Sequence, residues 1–222
     1  MLWERLALRW STSRTVDGLW IGIVLQKKQT DRAFDRVEEA LRVIKQHDPL
    51  RYKRLLRDLR RVWVLRLPEV RGSYNQALGA CQLDSTYVLG EGTAPEEIAS
   101  TIVHEATHAR LMSCGIGYEE GLRSRVETVC SRRELAFARK LPDGRLVREK
   151  AQRSLAWYRN PAYANYSTNQ EFEKRFVNAK GRHLRDLGVP HWFVRMAFSL
   201  RALRLRLRGA RLRRRIRRPA AD

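Results

Sequence analysis

The sequence predicts an α+β fold that is mainly helical, with a small β-sheet or hairpin ahead of one well-capped helix and a basic helix at the carboxyl end. Three observations support this class. Apolar residues recur every three or four positions over most of the 222 residues, the segment 62–89 contains runs of β-formers, and a capping sequence follows that segment. With 43% hydrophobic residues, the chain can bury a substantial core.

The amino-terminal part of the chain is predicted to form two helices. A helix over residues 30–46 places its apolar residues on one face: Phe34, Val37, Leu41 and Ile44. Asp48 followed by Pro49 is typical of a cap and first helical turn, so a second helix begins there. Its buried stripe comprises Leu55, Leu56 and Leu59.

One short extended region interrupts the helices. Residues 62–65 and 85–89 are rich in β-formers, and Pro68 and Gly72 separate the two runs. A strand is therefore predicted in each run, and together the two strands form a small sheet or hairpin. No other strand is predicted.

Four helices are predicted after the sheet. Thr93 and Glu96 form a capping box around Pro95, which indicates a helix start at Thr93. This helix runs to about Cys114, where glycines end it. The further predicted helices cover residues 118–141, 147–159 and 167–187.

The capped helix contains a metal-chelating pattern, His104-Glu105-Ala106-Thr107-His108. Histidines four residues apart project from the same face of a helix, so both imidazoles can reach one metal ion. Zinc (Zn2+) is the ion that such a site favours, and Glu105 is placed to accept a proton from water at that metal. The alternative is a pair of histidines satisfied by hydrogen bonds.

These residues resemble the active-site helix of the zincin metallopeptidases, which follows a strand of a small substrate-binding sheet. The resemblance covers about residues 84–134 and implies a zinc peptidase with Glu105 as general base. It also implies a third zinc ligand. The metzincin pattern, with a third histidine, does not fit, because Leu111 and Cys114 stand in that region.

In the gluzincin branch the third ligand is a Glu on a following helix, and this resemblance implies Glu127. Arg123, four residues earlier, allows the alternative of an exposed ion pair with Glu127. Glu120 and Glu134 share the predicted helix face of Glu127 and are alternative ligands, as is Glu119. Gluzincins usually carry a further acid that orients a zinc-bound histidine, but Ser131 stands four residues after Glu127.

Other residues near the motif have open roles. Cys114 and Cys130 are conceivable zinc ligands, although a free cysteine is commonly a small buried apolar residue. Stabilising an oxyanion requires a donor, and the downstream candidates are Tyr163, Tyr166, His183 and His191. The extended stretch through Tyr87 is a candidate for binding a peptide by strand addition.

The carboxyl-terminal segment 191–222 is strongly basic, with eleven Arg and one acidic residue. Apolar residues recur at helical spacing up to Leu207, and arginines occupy another face. This pattern fits an anionic membrane surface or nucleic acid, and equally a core-docking helix that ends near Leu207 in a solvated tail. We therefore divide the chain into a metallohydrolase domain, residues 1–190, and a basic segment, residues 191–222.

The composition also bears on location. No apolar run is long enough for a membrane-spanning helix, and three cysteines are too few for a disulfide framework. The expected location is cytoplasmic, peripheral to the membrane if the basic segment binds lipid.

Three functions are consistent with these features. The first is a zinc-dependent peptidase that acts on a peptide or protein substrate. The second is a nucleic-acid or anionic-membrane binding protein that acts through its Arg-rich carboxyl end and has a structural or inactive metal site. The third is a zinc hydrolase with a substrate other than a peptide, because a motif does not determine the substrate.

Overall fold

The computed structural model describes residues 10–67 and 69–186, together with the isolated positions 8, 192, 196 and 199. The strands are β1 (Thr12–Val16), β2 (Leu19–Ile23), β3 (Arg61–Leu65), β4 (Gly72–Asn75) and β5 (Ala80–Asp84). The helices are α1 (Lys27–His47), α2 (Pro49–Asp58), α3 (Ser85–Leu89), α4 (Pro95–Ser113), α5 (Arg123–Ala138), α6 (Arg145–Arg159), α7 (Pro161–Tyr166) and α8 (Asn169–Asp186). The α+β class is confirmed.

The chain consists of two compact units, Met1–Asn169 and Gln170–Asp222. The first holds the sheet and helices α1 to α7, and the described part of the second is the remainder of α8 with the isolated positions 192, 196 and 199. The predicted boundary at residue 190 and the predicted basic helix over 191–222 lie outside the described residues, apart from the isolated positions 192, 196 and 199. Within the described part of the chain, no helix has the length and apolar content needed to cross a membrane.

The five strands form one mixed sheet in the order β1-β2-β3-β5-β4. The three central strands are parallel to one another, and the two edge strands, β1 and β4, pair antiparallel with their neighbours. A parallel pair needs a long crossover, and α1 with α2 supplies it between β2 and β3. Of the two edge strands, β4 is the one that packs beside α4.

Side chains alternate between the two faces of the sheet. One face contributes Leu19, Ile21, Val62, Val64, Cys81 and Leu83 to the main core, together with residues of α1, α2, α4 and α5. The other face carries a smaller cluster around Trp63, which is fully buried and donates a hydrogen bond from Nε1 to Ser11 Oγ at 3.0 Å. The period of two along each strand determines which residues meet the helices.

The prediction of a single extended region is wrong, because β1 and β2 form a hairpin well before residue 62. Its turn is Asp17-Gly18, and both residues have positive φ, 49° and 84°. Two such residues form the tight turn whose twist matches that of paired strands. Strands β4 and β5 were not predicted either, since Gly72–Asn75 and Ala80–Asp84 are poor in β-branched residues.

The predicted strand over residues 85–89 is also wrong, since this segment is the short helix α3. Strand β5 ends at Asp84, whose carboxylate accepts a hydrogen bond from the backbone N–H of Tyr87 at 3.1 Å. Asp84 is therefore the N-cap residue of α3, and its carboxylate stabilises the first turn of this helix. Tyr87 then turns its hydroxyl towards Thr101 Oγ1, 3.1 Å away, and does not extend along an edge.

The N-cap residue of helix α4 lies one position later than predicted. Ala94 is its N-cap residue, and the backbone N–H of Ala94 donates to the Glu97 carboxylate at 3.3 Å. The predicted pair Thr93 and Glu96 is therefore displaced by one position. The helix ends at Ser113, close to the predicted end.

The later helices are shorter or more divided than predicted. The helix predicted over 118–141 consists of a single turn of 3-10 helix, Glu120–Leu122, followed by α5, which starts at Arg123. The helix predicted over 147–159 is α6. The chain is already helical in α7, Pro161–Tyr166, before the helix predicted from 167. Ser167 and Thr168 separate α7 from α8.

Asp48 joins the α1–α2 junction to the chain after α5. It is 2% exposed, caps α2 by accepting from the backbone N–H of Arg51, and forms ion pairs with Arg51 Nε at 2.8 Å and Lys140 Nζ at 3.0 Å. Burial alone would raise the pKa of Asp48, but the hydrogen bonds from Lys140 and Arg51 lower it below its ordinary value.

Replacing Asp48 by Ala is expected to lower the free energy of unfolding by about 1–2 kcal/mol at pH 7, the cost of a lost cap. Because the pKa of Asp48 is lower in the folded state, its contribution is present above the ordinary Asp pKa and is lost as the pH falls through the folded value. Urea unfolding at pH 7 and at acid pH checks this. Replacing the exposed Asp143 by Ala is the control, and a cost that does not shrink in acid contradicts the prediction.

Candidate metal centre

Helix α4 carries His104, Glu105 and His108 in the first unit. It packs against α1, α5 and the edge strand β4. Its small and apolar residues, from Ile98 to Val103, are buried, which draws the polar residues of the motif into the interior. The His104 and His108 rings lie one turn apart with their centroids separated by 5.0 Å, and Glu105 is 6% exposed.

Helix α5 brings Glu127 to the two histidines. Its Oε2 atom lies 3.2 Å from His104 Nε2, and its Oε1 atom lies 3.7 Å from His108 Nε2. Ligand atoms bound to one tetrahedral zinc at ordinary N and O distances are about 3.3 Å apart. The two separations to the Glu127 carboxylate are therefore close to this value, and the first is also that of an ordinary hydrogen bond.

Glu134 contacts the other nitrogen of His104. His104 Nδ1 donates to Glu134 Oε2 at 2.9 Å, and Ser100 Oγ donates to Glu134 Oε1 at 3.0 Å. Glu134 is thus an orienting partner in this arrangement, and Lys150 Nζ lies 3.9 Å from its carboxylate. Such a partner turns Nε2 of the ring towards a metal. Glu134 lies seven residues after Glu127 on α5.

The other alternative ligands lie elsewhere. Glu119 and Glu120 are exposed, and the Glu120 carboxylate accepts from the backbone N–H of Asn169 at 3.0 Å. In the described part of the chain neither forms an ion pair with a histidine. Arg123 does not pair with Glu127 on an exposed face, because it is buried and donates to Ser167 O and Asn169 Oδ1.

Tyr118 is a residue of the site that the sequence analysis missed. Its hydroxyl donates a hydrogen bond to Glu127 Oε1, and its ring meets that of His108 edge-on at 5.4 Å. The Arg123 guanidinium lies over the Tyr118 ring at 5.5 Å. The sequence feature that could have identified Tyr118 is its position in the short connection between α4 and α5, the two helices that carry the site.

The four predicted oxyanion donors differ from one another in exposure and in whether the structure describes them. Tyr163 is buried among Tyr158 and Trp157, and burial together with the charge of Glu127 raises the pKa of Tyr163 to about 12. Tyr166 is 45% exposed. The side chain of His183 and all of His191 lie outside the described residues. Tyr118 is the phenol that contacts a predicted ligand.

The cluster is anionic inside a strongly basic protein. Burial alone would lower the pKa of His104, but the charge of Glu134 and hydrogen bonds with Glu127 and Glu134 raise it well above its ordinary value. Burial and the charge of His104 lower the pKa of His108 to about 4. Without a metal, the protonated His104 ring therefore supplies the positive charge between the Glu127 and Glu134 carboxylates. A cation bound there would compensate the same negative charges.

The other two carboxylates of the cluster have opposite pKa shifts. Burial alone would raise the pKa of Glu127, but its hydrogen bond with His104 lowers it to about 2. Burial raises the pKa of Glu105 to about 7. Glu127 is therefore ionised like a ligand, whereas Glu105 is near the midpoint that suits proton transfer around neutral pH.

The edge strand β4 lies directly beside Glu105. A Cβ atom placed on Gly72 would lie 3.3 Å from Glu105 Oε1 and 2.6 Å from Thr101 Cγ2. Only a residue without a side chain allows this approach of β4 to α4. The edge near the site is therefore β4, and not the stretch through Tyr87.

The two candidate cysteine ligands also differ in position. Cys114 is exposed at the end of α4, whereas Cys130 is buried on α5. The donor atoms of His104, His108 and Cys130 all lie within 4.8 Å of one another. Burial, followed by the charges of Glu127, Glu105 and Glu134, raises the pKa of Cys130 well above its ordinary value.

If the cluster binds zinc, Tyr118 is expected to stabilise the bound ion through Glu127. Replacing it by Phe removes the hydrogen bond to Oε1 and keeps the ring against His108, so zinc affinity should fall by about tenfold. Competition with a zinc-binding dye measures the affinity. Tyr166→Phe, which changes an exposed phenol, is the matched control. Equal affinities in the two variants contradict the assignment.

No protein-family model, curated protein or solved structure matches this chain.

Proposed function

We propose that this chain is a zinc-dependent peptidase with a zincin-like core of the gluzincin type. The observation that carries the proposal is the convergence of His104 Nε2 and His108 Nε2 on the Glu127 carboxylate, at 3.2 and 3.7 Å. These three residues would hold the zinc. When bound, zinc supplies a Lewis acid and lowers the pKa of water in its open position.

The protein's own residues perform the proton transfers and the positioning. Glu105 accepts the proton of the attacking water and then donates it to the leaving amine. Its burial and its pKa of about 7 suit both roles. Glu134 holds the His104 ring through Nδ1, and Tyr118 holds the Glu127 carboxylate through Oε1.

A peptide substrate is supported by the position of β4. This strand pairs with β5 on one side and forms the edge of the described sheet on the other. An extended peptide can add to such an edge through main-chain hydrogen bonds. Because Gly72 of β4 lies against Glu105, a peptide added there would pass the proposed base.

Metal content is the first test. Plasma mass spectrometry on the purified full chain, after adventitious ions are removed, is expected to give near one zinc per chain. His108→Ala and Glu127→Ala should each retain much less zinc after the same treatment. Glu119→Ala, which removes an exposed carboxylate between the two helices, should retain it. Absence of stoichiometric metal in the wild type, or undiminished zinc content in Glu127→Ala, contradicts the proposed site.

A second candidate function rests on the charge of residues 191–222, which hold eleven of the chain's 45 Lys and Arg residues. In this function the segment binds nucleic acid or an anionic membrane surface, and the metal site is structural or inactive. Truncation after residue 208 is expected to reduce salt-dependent binding to a labelled DNA duplex or to anionic vesicles. Casein hydrolysis that survives truncation makes the segment a localiser, and no hydrolysis by either chain favours the binding function.

A further inference from the structure

Cys130 is a buried nucleophile that the proposed mechanism does not use. It lies on α5 three residues after Glu127 and four residues before Glu134, so it shares the face that carries both carboxylates. It is fully buried. Its sulfur lies within 4.8 Å of one ring nitrogen of His104 and one ring nitrogen of His108.

We propose that Cys130 is a fourth ligand of the metal, which closes the site in the absence of substrate. The inference rests on the proposed function, since it concerns the same ion. A tetrahedral zinc with ordinary bonds to sulfur and to an imidazole nitrogen holds those two atoms about 3.6 Å apart. The present separations are at most 4.8 Å and so exceed this distance by no more than about 1 Å, a change within reach of a rotation of the cysteine side chain.

The position of Cys130 on α5 allows it to bind the same metal ion as Glu127. Residues three apart on a helix are neighbours on one face, so one ion bound between α4 and α5 can meet both side chains. His104 and His108 supply the two nitrogen ligands from α4. The set of two imidazoles, one carboxylate and one thiolate is complete for tetrahedral zinc.

A fourth protein ligand would change both the metal selectivity of the site and the conditions under which substrate can bind. A thiolate favours zinc and softer ions over manganese or magnesium, so Cys130 would make the site more selective. Four protein ligands leave no open position, so Cys130 must leave before water or substrate can enter. In the absence of substrate, Cys130 therefore occupies the fourth position on the ion, and it competes with the substrate for that position.

Absorption spectroscopy of the cobalt(II)-loaded full chain tests the ligand. Cobalt(II) in a tetrahedral site absorbs in the visible, and a thiolate ligand adds a charge-transfer band in the near ultraviolet. We expect both bands in the wild type and in Cys114→Ala, which removes an exposed cysteine. Cys130→Ala should keep the visible bands and lose the near-ultraviolet band.

Two outcomes overturn the inference in distinguishable ways. Visible bands without a near-ultraviolet band in the wild type show that Cys130 is not a ligand, and they leave the proposed site of His104, His108 and Glu127 intact. No cobalt bands at all remove the proposed site and Cys130 with it. The wild-type spectrum decides both points without relying on the folding of a variant.

Hydrolysis of labelled casein tests the closing role. Once the fourth ligand is removed, the zinc-loaded Cys130→Ala chain is expected to cleave casein several-fold faster than the wild type at low casein concentration. Cys130→Ser, which preserves the size of the side chain, should behave similarly. Equal or slower cleavage by both folded variants, judged by circular dichroism, overturns the closing role even where the cobalt spectrum shows a thiolate ligand.

Discussion

Replacing Glu105 by Gln is expected to lower casein hydrolysis by about 10²–10⁴-fold while bound zinc stays at the wild-type level. The amide has nearly the same shape as the carboxylate but cannot accept a proton from water. Because Glu105 is 6% exposed and lies among other acids, the neutral variant should fold at least as stably as the wild type.

Activity and metal content must be measured on the same preparation. Glu96→Gln, in the first turn of the same helix, is the matched control and should retain activity. Loss of both zinc and activity in Glu105→Gln would show that the residue supports the metal and is not the base. Undiminished cleavage by the zinc-loaded variant would refute the proposed mechanism.

Replacing Glu134 by Ala is expected to lower zinc affinity by up to about 100-fold. The change removes the acceptor of His104 Nδ1, so the ring loses the contact that directs Nε2 towards Glu127. It also leaves Ser100 Oγ without its buried partner. Competition with a zinc-binding dye measures the loss.

The Glu134→Gln variant separates orientation from packing. Its amide oxygen can still accept from His104 Nδ1, so this variant should recover part of the affinity. Glu149→Ala, which removes an exposed carboxylate on α6, should have no effect. A Glu134→Ala chain that binds zinc as tightly as the wild type would exclude the orienting role.

Local sequence signals predicted the helices better than the strands. The apolar stripe of α1 and the Asp48-Pro49 start of α2 agree with the structure, because burial of one helical face leaves a period in the sequence. Strand β3 was predicted for a similar reason, since its central residues are apolar and fully buried. The Asp17-Gly18 turn carried a hairpin signal that was overlooked.

Residues 85–89 show how tertiary context can override local preference. Their β-formers favour a strand, but the Asp84 carboxylate caps a helical turn there and Val88 enters the core. Strands β4 and β5 form despite weak β-propensity because neighbouring strands complete their hydrogen bonding. Pairing partners distant in the chain are invisible to a local pattern.

By itself, the sequence determined the position of the histidines. The four-residue spacing of His104 and His108 depends only on the geometry of a helix, and the helix was evident from its flanking residues. The same applies to Glu105, which lies next to His104. The charge of the chain and the concentration of arginine after residue 190 are likewise properties of composition.

Only the tertiary structure decided how the acids around these histidines are used. Glu119, Glu120, Glu127 and Glu134 were all candidates, because spacing along the helix predicted over 118–141 does not tell how it crosses α4. The packing of the two helices places Glu127 at Nε2 of His104 and Glu134 at Nδ1, leaves Glu119 and Glu120 exposed, and adds Tyr118 and Cys130 to the cluster. These contacts depend on the distance and rotation between two helices, which residue spacing within either helix does not specify.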